Sequence, residues 1–88
     1  MKEVIFKAAV IEDLSSWSIE NPKLVKKVFD LLLDIQRNPF KGIGKPEPLK
    51  YKLKGYWSRR INEEHRLIYG IESNEIIIVL SVHDHYDE

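Results

Sequence analysis

Residues 21 to 39 constrain this chain most tightly. Asn21-Pro22 opens a run with apolar residues at Leu24, Val25, Val28, Phe29, Leu32 and Ile35, and Asn38-Pro39 closes it. Apolar residues three and four apart line one face of an α-helix. Asn21 suits the N-cap, and Pro22 suits the first helical position, where its missing N–H has no partner to lose. A proline disfavours helical geometry in the residue before it, so the helix ends at Asn38. A single apolar face needs a second layer to cover it, and in 88 residues two layers are the practical limit. The chain has no cysteine, so no disulfide or thiolate metal site supplements that small core, and nothing points to an oxidising compartment. A cytoplasmic protein is expected.

The remaining elements follow from shorter signals. KEVIFK (2–7) reads as a strand of β-formers between lysines, and AAVIEDLSSWS as a helix with Val10, Leu14 and Trp17 on one face. From Phe40 to Leu49 two glycines and two prolines interrupt any periodicity and predict a loop. Beyond it YWSRRIN and HRLIYGI read as strands around a Glu63–Glu64 turn, and EIIIVLSV as a third strand after Ser73–Asn74. The expected fold is α+β, one domain over 1–88, in the order β-α-α-β-β-β. It is a small twisted antiparallel sheet with two helices packed on one face. The longest apolar run, Ile76 to Leu80, is far short of a membrane span, and the start lacks a signal-peptide pattern, so no membrane partner is expected.

Strand alternation assigns faces. Trp57, Arg59 and Ile61 point one way, and Ser58, Arg60 and Asn62 the other; Ile61, Leu67, Tyr69 and Ile71 face the helices. The hairpin then sets Arg60 opposite Arg66 on the exposed face. Like charges so paired are unfavourable unless an anion sits between them, and phosphate is a natural one. Arg59 does not fit this scheme: alternation puts it on the apolar face, where a rim position would let its stem snorkel, and its role is left open. The net charge is zero, yet residues 41 to 66 hold eight of the fourteen basic residues and only three acids, a local field suited to a polyanion.

Within that field Glu47 stands between Pro46 and Pro48, which fix the backbone on both sides of it. With Lys50, Arg60, Arg66 and the C-terminal His83, His85 and Tyr86, the chain holds an acid, an imidazole and several cations. This is the set needed for metal-free RNA cleavage: a base for the 2′-hydroxyl, cations for the phosphorane and an acid for the 5′-oxygen. Bland readings stand beside it. Glu47 alone is a solvated loop acid, and His83-x-His85 with Asp84 and Asp87 offers metal ligands, though no third ligand is indicated at a suitable spacing. Tyr56 and Tyr86 are placed for stacking on a base, whereas Trp57 and Tyr69 belong to the core. These residues lead as far as an anion-binding α+β domain, with ribonuclease chemistry among the readings.

GKPEPLK, GYWSRRI and EEHRLIY in this order, followed by a terminal His-Tyr, resemble the YoeB branch of the RelE-like toxins. These are the messenger-RNA interferases of bacterial type II toxin–antitoxin pairs. The similarity is close from Asn38 to Ile71. The resemblance implies the RelE-like fold and cleavage of messenger RNA in the ribosomal A site, with neither metal nor cofactor. It assigns Glu47 as general base, His85 as general acid, Arg66 as the arginine that stabilises the transition-state phosphate, and Tyr86 as the tyrosine that orients substrate and catalytic groups. Lys50 and Arg60 match supporting cations, with Arg59 grouped beside them as substrate-binding. It also implies a YefM-like antitoxin, a homodimer, and operator DNA bound through the antitoxin complex. The chain departs from the family in its acidic ending, where Asp84, Asp87 and Glu88 surround His85; their charge favours its protonated form and repels phosphate. The rival expectation is a RelE-fold binding module without catalysis, acting as antitoxin partner and co-repressor.

Overall fold

The computed structural model describes residues 2–83. Strand β1 (Glu3–Phe6) leads into helix α1 (Ala8–Glu20), and Asn21 alone separates it from α2 (Pro22–Arg37). Then come β2 (Glu47–Pro48), a one-turn 3-10 helix (Tyr51–Leu53), β3 (Trp57–Arg60), β4 (Arg66–Glu72) and β5 (Ile76–Ser81). Asn21 is the N-cap as predicted, but without a side-chain hydrogen bond. Its N–H ends α1 on Trp17 O at 2.8 Å, and its carbonyl accepts the N–H of Leu24 at 3.0 Å. On α2 the buried stripe is Val28, Leu31, Leu32 and Ile35, an i, i+3, i+4, i+7 set. Phe29, one helical step round from Val28, stands 45% exposed.

The sheet has the order β1-β5-β4-β3-β2. Strands β2 to β5 form the antiparallel meander, but β1 lies parallel to β5, with Glu3 opposite Ile76 and Phe6 opposite Val79. The sheet is therefore mixed where the sequence predicts antiparallel. A parallel pair needs a long crossover, and everything from Lys7 to Glu75 lies between these two strands. The predicted Ser73–Asn74 turn has both residues left-handed (φ 56° and 61°) and closes with Glu75 N–H on Glu72 O at 3.1 Å, the type I′ geometry that matches strand twist. At the other turn Asn62 Oδ1 accepts the N–H groups of Glu64 and His65 at 2.9 and 2.6 Å.

The helices cover one face, where Val10, Trp17, the α2 stripe, Leu67, Tyr69, Ile77, Val79 and Val82 form the main core. The opposite face, expected to be open, carries a second small cluster of Leu49, Leu53 and Ile68, with Tyr56 and Leu80 packed against it. The segment after β2 folds over the sheet because Leu49 and Leu53 bury more apolar area on Ile68 than they would in solvent. At one end of that face Arg60 stays exposed and Arg66 half-buried, and at its far edge Ile5 is 49% exposed.

Candidate functional site

On strands β3 and β4, Arg60 is directly opposite Arg66, as alternation and the short turn predict. Arg60 is exposed and Arg66 half-buried. Two guanidinium groups on one rung repel each other, and the arrangement is favourable when an anion bridges them.

Glu47 joins that face from the next strand. The predicted loop contains the two-residue edge strand β2, with Glu47 opposite Ser58 and Pro48 opposite Trp57. Directly paired residues share a face, and Ser58 shares its face with Arg60, so Glu47 is the diagonal neighbour of Arg60, about 7–8 Å away between Cα atoms. Arg66 lies one strand further, on the order of 12 Å from Glu47 between Cα atoms. An edge strand tolerates Pro46 and Pro48 because their missing N–H groups leave no ladder bond unmade. The chain reaches Glu47 through Gly44 and Lys45, both with positive φ (79° and 53°), a sharp reversal that Gly44 Cα permits without steric cost. Arg60 N–H bonds Gly44 O at 2.6 Å and ties that reversal to β3.

Lys50 follows β2, exposed, at the start of the 3-10 turn. A shallow hollow of about 320 Å³ beside Arg60 is lined by Lys27, Gly44, Lys45, Asn62 and Glu63. Another of about 320 Å³, lined by Phe40, Gly55, Trp57, Ile71, Ser73 and Asn74, has no ionisable side chain to offer. Tyr56, expected as a stacking platform, is half-buried, and its ring lies so close over Gly70 that an added Cβ there would sit 3.0 Å from it.

Arg59 does not stand with the other cations. Grouped by sequence with the substrate-binding residues at a rim, it is wholly buried, with 0% exposure. Its five N–H donors are all used. Nε bonds Tyr69 Oη at 3.2 Å; Nη1 meets the Asp34 carboxylate and Ile43 O, the latter at 3.0 Å; Nη2 bonds Asn38 O at 2.7 Å and Lys41 O at 3.0 Å. Asp34 is a partner that the sequence marks only faintly. Its only signal is an acid next to the inward stripe, one turn before the Asn38-Pro39 stop. The hydrogen bond from Arg59 holds the Asp34 carboxyl below the ordinary carboxylate value, helped by the N–H of Ile43 and against the effect of burial. Tyr69 is in the core as expected. Burial raises its phenol above the ordinary value, so it stays neutral and donates to Pro39 O at 2.5 Å.

The chain continues past β5 beside β4. Val82 is buried, His83 N–H bonds Ser81 Oγ at 3.2 Å, and His83 O accepts the N–H of Arg66 at 3.3 Å. The chain therefore runs alongside Arg66 as far as His83. The His83 imidazole lies 3.9 Å from the Asp13 carboxylate, and its ring centroid is 5.5 Å from that of His65, which packs on Trp17 at 4.9 Å. The assigned His85 and Tyr86, with Asp84, Asp87 and Glu88, lie outside the described residues. Among the described residues no group of three His, Cys, Asp or Glu side chains is placed to hold a metal ion.

Residues 6–86 match the family model described as YoeB-like toxin of bacterial type II toxin-antitoxin system. Toxin YoeB of Escherichia coli is 48% identical over 67 residues, covering 76% of this chain and 80% of that protein. Among solved structures, a heterotetrameric YoeB-YefM toxin-antitoxin complex from Staphylococcus aureus superposes with a TM-score of 0.88 at 44% identity, covering 98% of this chain and 99% of that one. A YoeB dimer from the same organism gives a TM-score of 0.89 at 43% identity, covering 97% and 98%. The motifs around Glu47, Arg60 and Arg66 thus lie within the matched region, and the chain belongs to the YoeB-like toxins of bacterial type II toxin–antitoxin systems.

Proposed function

We propose that this toxin is an endoribonuclease that cuts messenger RNA in the ribosomal A site and so stops translation. The observation that carries the reading is the single sheet face on which Glu47, Arg60 and Arg66 stand, with Arg60 and Arg66 sharing one rung. A phosphodiester between the arginines has a carboxylate on the adjacent edge strand. Glu47 takes the proton of the ribose 2′-hydroxyl, and the 2′-oxygen attacks phosphorus. Arg66, with Arg60 and Lys50, stabilises the phosphorane charge. His85 gives its proton to the departing 5′-oxygen while Tyr86 orients the groups. The products are a cyclic 2′,3′-phosphate, which water opens, and a 5′-hydroxyl. The scheme balances in protons, one taken by Glu47 and one given by His85. Side-chain cations carry the charge stabilisation, so no metal is required.

The name of the Staphylococcus aureus complex supports a YefM-like antitoxin for this chain, and that of the dimer supports self-association. An antitoxin segment laid across the arginine rung masks the site, and the complex reaches operator DNA through the antitoxin. Among the described residues no helix is long and apolar enough to cross a membrane; the proposed site of action is the cytoplasm.

The test is incubation of the full-length protein with messenger RNA, with and without translating ribosomes, followed by mapping of new ends. Cleavage on the ribosome with 5′-hydroxyl ends is expected. Glu47→Gln, Arg66→Ala and His85→Gln should keep the wild-type circular dichroism and melting curve while each lowers cleavage by ~10²-fold or more. Intact RNA with the wild-type protein would instead favour a binding module that acts only with its antitoxin, and an undiminished His85 variant would remove the assigned acid.

A further inference from the structure

We propose that Arg59 is a positioning residue for Glu47: buried inside the domain, it holds in place the loop that carries the base onto the phosphate-binding face. This rests on the reading of Glu47 as general base.

The loop after α2 has little burial to hold it. Its own large apolar residues, Phe40 and Ile43, are 48% and 46% exposed. The Phe40 ring rests against Trp57 with centroids 4.9 Å apart, and polar groups supply the rest of the grip. Arg59 bonds the carbonyls of Asn38, Lys41 and Ile43, Asp34 accepts the N–H of Ile43 at 3.0 Å, and Tyr69 donates to Pro39 O. One guanidinium, one carboxylate and one phenol thus fasten the backbone at four positions between Asn38 and Ile43. The fit leaves no slack: a Cβ at Gly42 would fall 1.8 Å from Asp34 Oδ2, and one at Gly44 3.2 Å from Arg59 Cβ. Three residues beyond Gly44 stands Glu47.

Strand alternation gives the two adjacent arginines opposite tasks. Arg59 points inward and ties down the loop of the base, while Arg60 points outward to the phosphate and bonds Gly44 O through its own N–H. One dipeptide therefore links the base loop to the phosphate cation. Buried ion pairs are a weak source of net stability, since apolar replacements often do as well. Geometric control explains its presence better, because a misplacement of about 1 Å in a reacting group costs roughly 10²-fold in rate.

The test uses full-length Tyr69→Phe and Arg59→Lys, which keep the ring volume and the charge respectively, beside Glu47→Gln and the two double variants. Expected are a folded protein, amide exchange at Ile43 and Arg60 at least tenfold faster with Ile77 and Val79 unchanged, and single-turnover cleavage down at least tenfold with ribosome affinity within twofold. In the Glu47→Gln background neither substitution should lower cleavage further, because each acts through Glu47. An additive loss in the double variants would mark a merely structural role and overturn the proposal. Fully active Tyr69→Phe and Arg59→Lys beside a dead Glu47→Gln would overturn the positioning role alone. Glu47→Gln cleaving at the wild-type rate would overturn the base assignment and the positioning role with it.

Discussion

Alanine at Gly44 and at Gly55 separates backbone strain from close packing in the loop that carries Glu47. Both glycines have positive φ, 79° and 100°. A Cβ at Gly44 would lie 2.7 Å from Leu31 Cδ2 and 3.1 Å from Arg60 O, whereas one at Gly55 meets nothing within 4 Å. Leu31 is fully buried and Arg60 O belongs to β3, so neither yields freely. Each alanine carries backbone strain of ~1–3 kcal/mol. Each also recovers ~0.4–1 kcal/mol from a less flexible unfolded chain. Only Gly44→Ala adds overpacking, about 1–3 kcal/mol. Since Gly55 has the larger φ, any excess loss at Gly44 is a packing effect. At about 4–8 °C per kcal/mol for a domain of this size, the two variants should melt on the order of 10 °C apart, with Gly44→Ala lower. Scanning calorimetry on the full-length chain reads this directly. Equal melting temperatures would refute the claim that the loop is pressed tightly against β3 and α2.

Two further outcomes follow from charges. Arg60→Ala relieves the Arg60–Arg66 repulsion, so it should leave stability unchanged or raise it by ~0.2–1 kcal/mol at low salt, with the gain shrinking at high salt, while lowering cleavage; a clear loss of stability in urea titration would mean that the rung holds the sheet together. Asp34 is held below its ordinary value of 3.8, so its contribution is complete above that value and vanishes as pH falls through the lowered one. Asp34→Asn should therefore melt lower than wild type at pH 7 and decline less steeply as pH falls below 3.8, and parallel declines in the two proteins would locate the acid sensitivity elsewhere.

Much of the site was legible because its determinants are local. The short turn at Glu63–Glu64 and the two-residue strand period settle that Arg60 faces Arg66, and flanking prolines mark Glu47 before any tertiary contact is known. Helix α2 announced itself by its caps and its apolar spacing. Other features were not local. The direction of β1 depends on a partner 73 residues away, outside the reach of hairpin logic. The strand at Glu47–Pro48 exists only because β3 offers an open edge, which a single residue between two prolines does not signal.

Arg59 and Arg60 show the division most clearly. By itself, the sequence determined that neighbouring residues on a strand point to opposite faces, so one of the two arginines had to turn toward the core. It did not determine whether that arginine would escape to a rim or stay buried. The tertiary structure decided this by bringing a carboxylate, a phenol and three carbonyls, from Asp34 to Tyr69, around one guanidinium. A buried charge is tolerable only when its hydrogen bonds are satisfied, and that satisfaction comes from groups whose convergence in space no one-dimensional spacing encodes.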